Sequence, residues 1–310
     1  MDRIIKFSEL QEHVQHVYER FKDDPRGNLD SRISGSDPSE FGIAVVLTDG
    51  RTIKYGQTDK QVALTGMAKT VAAEVLANQL NKPHDLAKKI KGSSCISGGA
   101  KVHKPKVPTS PLGIRLVSAI EPTGDSDGKW DLMIDSLINL TNGTPTLDVE
   151  LYKALTAENQ EANTENTIAE AGYVLYDDAP IAIDLYTKLK AIKVSASELA
   201  TMAATIAADG YNPLTKENVF DGANAASIVS FMAVHGPHHM SLPWLVRTGL
   251  PAQSSYAGSM FGVVPGVFGI AAYSPLVNDG GVSSRSAHAF AHLMKELGIS
   301  ALGSERVRID

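Results

Sequence analysis

The stretch from Val62 to Leu80, VALTGMAKTVAAEVLANQL, limits the fold more than any other part of the chain. Leu64, Met67, Val71, Val75 and Leu76 recur at helical spacing, and alanine fills most of the remaining positions. A helix this apolar on every side belongs in a core. One lysine, Lys69, sits in its first turns. Burying an ammonium is costly unless it is paired or gives up its proton. Lys69 is therefore either a chemical group or a lysine whose stem crosses apolar surface while its head reaches a partner.

The elements on either side set the topology. Ahead of the helix, FGIAVVLTDGRTIKYG reads as a strand buried on both faces, a hairpin turn at Asp49-Gly50 and a return strand. Near the other end, SMFGVVPG and VFGIAAYSP are two more apolar strands joined through Pro265-Gly266. A final helix, SAHAFAHLMKELG, stops at Gly298. An amphipathic helix is predicted over 5–22, from the stripe Phe7, Leu10, Val14, Val17, Tyr18 and Phe21. Between the strand regions the spacing predicts helices over 113–120, 131–140, 147–157, 163–174, 181–192, 196–209 and 222–234. Ser195 and Glu198 form a capping box ahead of one of them. The order implies an α/β (α+β) protein in which one sheet is built from both ends of the chain. Residues 1–80 and 241–310 would form the sheet-containing domain, and 81–240 an all-helical insert.

Composition excludes several classes of function. A net charge of −6 argues against general nucleic-acid binding, and no apolar run reaches the ~18 residues of a membrane span. The first residues lack the apolar core of a signal peptide, and the single cysteine, Cys95, cannot pair within the chain. A cytoplasmic location is expected. The stretch from Lys82 to Pro111 is rich in lysine, proline and glycine without interleaved aromatics, which reads as an exposed connection. His235, His238 and His239 cluster in HGPHH, but no zinc-type spacing accompanies them. No metal and no cofactor is expected.

Several segments together resemble the serine-dependent glutaminases, which share the β-lactamase-like fold of the penicillin-recognising serine hydrolases. FGIAVVLTDG is similar to that family's first strand and turn. TGLPAQSSYAGSMFGVVPGVFGIAAYSP is similar to its GLPAKSG-containing stretch and following hairpin. Asn278-Asp-Gly-Gly and the closing helix continue the likeness, and MAATIAADGYNP, Met202 to Pro213, falls within it. The resemblance implies an antiparallel sheet flanked by helices, a homo-oligomer, and hydrolysis of L-glutamine to L-glutamate and ammonia. In the implied mechanism a Ser-x-x-Lys pair opens the buried helix. The lysine takes the serine proton and the serine oxygen attacks the side-chain amide.

At the decisive position this sequence departs from the pattern. Lys69 matches the family lysine, whereas the nucleophile position is Gly66, which has no side chain. The family's asparagine in its NPxxNAG-like segment falls at Pro108, its early tyrosine near Arg32, and the tyrosine of its GMY-like segment at His238. Gln253 and Ser255 stand for the lysine and glycine of KSG, and Tyr256 replaces a small aliphatic residue. Tyr186 matches a family site tyrosine, and Asn166 a family amide. The acid beside it is Glu158, Glu161 or, in a shifted alignment, Asn159. The resemblance thus points to a small-molecule site built from Lys69, Tyr186, Asn166, Glu158, Tyr256 and His238. Three readings stay open. Hydrolysis is lost, weakened or turned to small-metabolite binding. Glutamine is still hydrolysed with another nucleophile. Or Lys69 activates water for a different amide.

Overall fold

The computed structural model describes residues 3–82, 84–90, 108–237 and 240–310. Its centre is a five-stranded antiparallel sheet in the order Ala252–Ser254, Ser259–Val264, Phe268–Tyr273, Gly42–Leu47 and Thr52–Gly56. Strands from the two ends of the chain meet in the middle, where Phe268 pairs with Leu47 and Tyr273 with Gly42. Every residue of the three inner strands is buried, which is why they read as unbroken apolar runs. The edge strand Thr52–Gly56 buries only Ile53.

Helices cover both faces. Phe7–Phe21 and Ser284–Leu297 lie side by side on one, with Leu10, Val14, Val17 and Phe21 turned inward from the first of them. Ala196–Ala207 covers the other, opened by the capping box at Ser195 and Glu198. This last helix comes from the helical middle of the chain yet lies directly on the sheet. A Cβ added at Gly269 would sit 2.2 Å from the backbone nitrogen of Ala204 and 2.5 Å from the carbonyl carbon of Ala203. Glycine on the strand and alanines on the helix thus let two backbones touch. The ends of the chain are tied by a short parallel pairing of Arg3–Ile5 with Val307–Ile309, too brief to leave a sequence pattern.

The middle of the chain is mainly helical, with short strands the helical patterning does not show. Ile192–Val194 pairs with Thr146–Leu147 on one side and Val62–Ala63 on the other. That pairing alters the expected helix over 62–80. Val62 and Ala63 are strand, Thr65–Met67 forms a 3-10 turn, and the α-helix runs from Ala68 to Gln79. Thr65 has a φ of +42°, a conformation rare for a β-branched residue, so a continuous helix through it is excluded. From Ala68 to Ala77 every residue is buried, Lys69 among them.

The contact at Gly269 carries a direct consequence. Gly269→Val forces a branched side chain into the backbone of the Ala196–Ala207 helix and is expected to cost about 3 kcal/mol. Denaturant unfolding should register this as a lower midpoint at an unchanged slope.

Candidate active site

The turn before the lysine helix is fixed from the sheet side. The Thr65 hydroxyl lies 2.6 Å from the Ser255 hydroxyl, and Ser255 in turn donates to the Ala63 carbonyl at 3.0 Å. Ser255 also accepts from the backbone nitrogen of Ala257. Gly66 and Tyr256, each one residue beyond this hydroxyl pair, are thereby brought to the same place.

A cavity of about 410 Å³ opens there. Gly66, Tyr186 and Tyr256 line it together with Arg32, Lys190 and Pro108. Tyr186 and Lys190 are one turn apart on the helix Ala179–Lys190 and so share a face. The ring of Tyr186 rests on Gly113 of the helix Pro111–Ser118, where an added Cβ would fall 1.9 Å from the ring carbon Cζ. Lys190 reaches the Pro108 carbonyl and the Thr109 hydroxyl, each at 3.3 Å. Also in the lining, the Asn278 side chain accepts from the backbone nitrogens of Gly280 and Val282 and shapes the turn through Gly281.

Arg32 is held by a local device. Its backbone nitrogen and its Nε both donate to Asp30 Oδ1, and Nη2 donates to Oδ2 at 2.6 Å. The same Asp-x-Arg arrangement recurs at Asp24 with Arg26 and at Asp49 with Arg51. The fork fixes the guanidinium 3.7 Å from the centre of the Tyr256 ring, a cation–π contact. Its hydrogen bonds hold Asp30 below, and Arg32 above, the ordinary range of each.

Burial dominates the remaining electrostatics. It pushes the Lys190 ammonium down to about 8, the Arg32 charge adds to the effect, and the Glu158 carboxylate opposes it. Burial raises the Tyr256 phenol to about 12 and raises the Tyr186 phenol as well. Neither phenol oxygen has a protein hydrogen-bond partner among the described residues. The cavity wall thus presents two cations, two carboxylates (Asp30 and Asp279) and two phenols beside a glycine.

The other expected site residues fall as follows. Lys69 is buried, and its Nζ donates to the carbonyl oxygen of His235; it is not among the residues that line the cavity. Glu158 is half-buried and acts on Arg32, Lys190 and Tyr256 through its charge. Asn159 is buried against Thr187 and Thr164, and Glu161 is exposed. Asn166 is exposed on the helix Thr164–Glu170, away from the cavity lining, because its neighbours Thr164 and Ile168 supply that helix's buried face. His238 lies outside the described residues, as do His239, Cys95 and the serines at 93, 94 and 97. His235 is buried against Phe231, and burial together with the Lys69 charge lowers its imidazole to about 4. Tyr256 lines the cavity without closing it. Sequence reasoning missed Lys190 as a site residue, although its spacing of four from Tyr186 was available, and missed Ser110, which also lines the cavity.

The glutaminase family model matches residues 31–302. The chain belongs to the glutaminase family. A glutaminase of Bacteroides fragilis is 32% identical over 319 residues, covering 100% of this chain and 99% of that one. A glutaminase of Parabacteroides distasonis is 30% identical over 320 residues with the same coverage. Among solved structures, a probable glutaminase named ybaS superposes with a TM-score of 0.85 at 28% identity, over 97% of this chain and 100% of that one. A probable glutaminase from Bacillus subtilis, at 19% identity and a TM-score of 0.77, shares the fold. These likenesses give the architecture as β-lactamase-like. Among the described residues no helix is long and apolar enough to cross a membrane.

Lys190 gives this glutaminase-family site a measurable signature. Its ammonium is less basic in the folded chain than in the unfolded one, so the charged form opposes folding. The penalty is full below about pH 8 and fades as pH rises toward the ordinary 10.5. Lys190→Met removes that penalty, so its stability relative to wild type is expected to be higher at pH 7 than at pH 10.5 by about 3 kcal/mol. The gain over wild type should shrink between pH 8 and pH 10 in paired denaturant titrations; a gain independent of pH would contradict it.

Proposed function

We propose that the cavity beside Gly66 binds a small amino acid or amide of the glutamine class and that this chain does not carry out the family's ester-forming hydrolysis. Family membership supports the ligand class. The lining supports binding. Arg32 and Lys190 suit a carboxylate, with Arg32 Nη1 lying outside the fork that Asp30 holds. Asp279, also in the lining, suits an ammonium group. The phenols of Tyr186 and Tyr256 are buried donors without partners among the described residues, and leaving each unpaired costs about 1–3 kcal/mol, so a polar ligand that reaches them regains that energy.

The observation that carries the reading is Gly66 itself. The family's chemistry needs a hydroxyl where this chain offers hydrogen. The Thr65 hydroxyl one residue earlier is committed to Ser255, and Lys69 donates to the His235 carbonyl. Removing a covalent nucleophile typically leaves only the rate supplied by binding and oxyanion donors. A second reading, in which Lys69 or Lys190 activates water and glutamine is still hydrolysed, is favoured by the identity over the full chain with proteins called glutaminase.

A thermal melt run beside an ammonia-release assay separates the two. L-Glutamine or L-glutamate at about 100 times Kd is expected to raise the melting temperature by roughly 4 °C. Arg32→Ala should abolish the rise, and ammonia release should stay at the protein-free rate. Release that depends on the protein and disappears in Lys69→Ala would overturn the proposal.

A further inference from the structure

On the outer face of the sheet, the first and last long helices bring together a group that the family's chemistry does not use. His13 and His16 lie on Phe7–Phe21, and His292 and Glu296 on Ser284–Leu297. His16 Nδ1 is 3.0 Å from Glu296 Oε1, and His292 Nε2 is 3.1 Å from the same oxygen. The ligand atoms of His16, His292 and Glu296 all lie within 4.8 Å of one another. Donors about 2.1 Å from a tetrahedral zinc ion stand roughly 3.4 Å apart, so a small shift of side chains would seat an ion among them.

Two further features separate this cluster from ordinary surface ion pairs. The His292 Nε2 atom is buried and makes no hydrogen bond among the described residues, although it faces the carboxylate. Its ring is held edge-on against Phe21 at 5.6 Å, which fixes the direction of that nitrogen. The second oxygen of Glu296 is held as well, since His13 Nδ1 lies 3.3 Å from Oε2 and can donate to it. Metal-binding carboxylates are commonly oriented by such an outer hydrogen bond.

We propose that His16, His292 and Glu296 form a binding site for a divalent transition-metal ion of the zinc class, with His13 positioning the carboxylate. Two imidazole nitrogens and one carboxylate oxygen are a donor set that suits zinc, cobalt or nickel better than calcium or magnesium. A bound ion would clamp the helix at the start of the chain to the helix at its end. The site stands apart from the cavity at Gly66 and does not depend on its function.

Calorimetric titration of chelator-stripped protein with zinc chloride, paired with thermal melts, tests the site. One ion per chain is expected, with a melting temperature that rises with zinc concentration. His16→Ala/His292→Ala should weaken binding at least tenfold and remove the rise, while its metal-free melt stays near that of wild type. Glu296→Gln keeps the shape of the side chain and should also weaken binding, which guards against a misfolded double variant. Magnesium should produce no shift. Wild-type protein that binds no zinc would overturn the proposal, as would variants that bind it as tightly, which would place the ion elsewhere.

Discussion

One pair of hydroxyls holds the geometry of the cavity in place. Thr65 precedes the buried helix, Ser255 follows an edge strand of the sheet, and their oxygens lie 2.6 Å apart in a fully buried setting. Because Ser255 also reaches the Ala63 carbonyl and the Ala257 nitrogen, it is satisfied on every side and pins the turn rather than merely touching it. A buried network of this kind is worth more than an exposed hydrogen bond, since breaking either partner leaves the other unpaired. The positive φ of Thr65 persists because that network holds it. Gly66 and Tyr256 take their places in the cavity wall as neighbours of the two anchored residues.

The rest of the cavity follows from how helices meet that turn. Gly113 leaves room for the Tyr186 ring close against its backbone, and Lys190 is carried to the same face one turn later. Arg32 arrives from a loop, yet the Asp30 fork gives it the fixity of an element. The outcome is a polar hollow of mixed charge, in which Arg32 and Lys190 are balanced by Asp30 and Asp279 and the wall carries glycine at position 66. Lys69 remains buried on its helix, where its ammonium donates to the His235 carbonyl.

Much of the architecture was legible because burial leaves a pattern. The three inner strands read as unbroken apolar runs, the Asp49-Gly50 and Pro265-Gly266 turns fell where they were expected, and the capping box at Ser195 marked its helix. Short ladders escaped because a pair or triplet of residues, such as Val62–Ala63 or Arg3–Ile5, carries no period. The resemblance to the family drew attention to Gly66, Tyr186, Tyr256, Arg32 and Pro108, five positions that line one cavity. Asn166 shows the limit of matching by residue type, since helix direction turned it to solvent. The three histidines around Glu296 were invisible for a different reason. Two come from the first helix and one from the last, and only the fold brings them within reach of the same carboxylate.

Whether the hollow binds or reacts is open to one direct measurement, titration calorimetry with L-glutamine as the only titrant. Binding without turnover gives heat pulses that saturate and return to the starting baseline after every injection. That is the expected record for a site with glycine at position 66. A baseline that stays displaced in proportion to protein concentration, until the glutamine is consumed, would mean that the chain hydrolyses its ligand and would contradict the central claim.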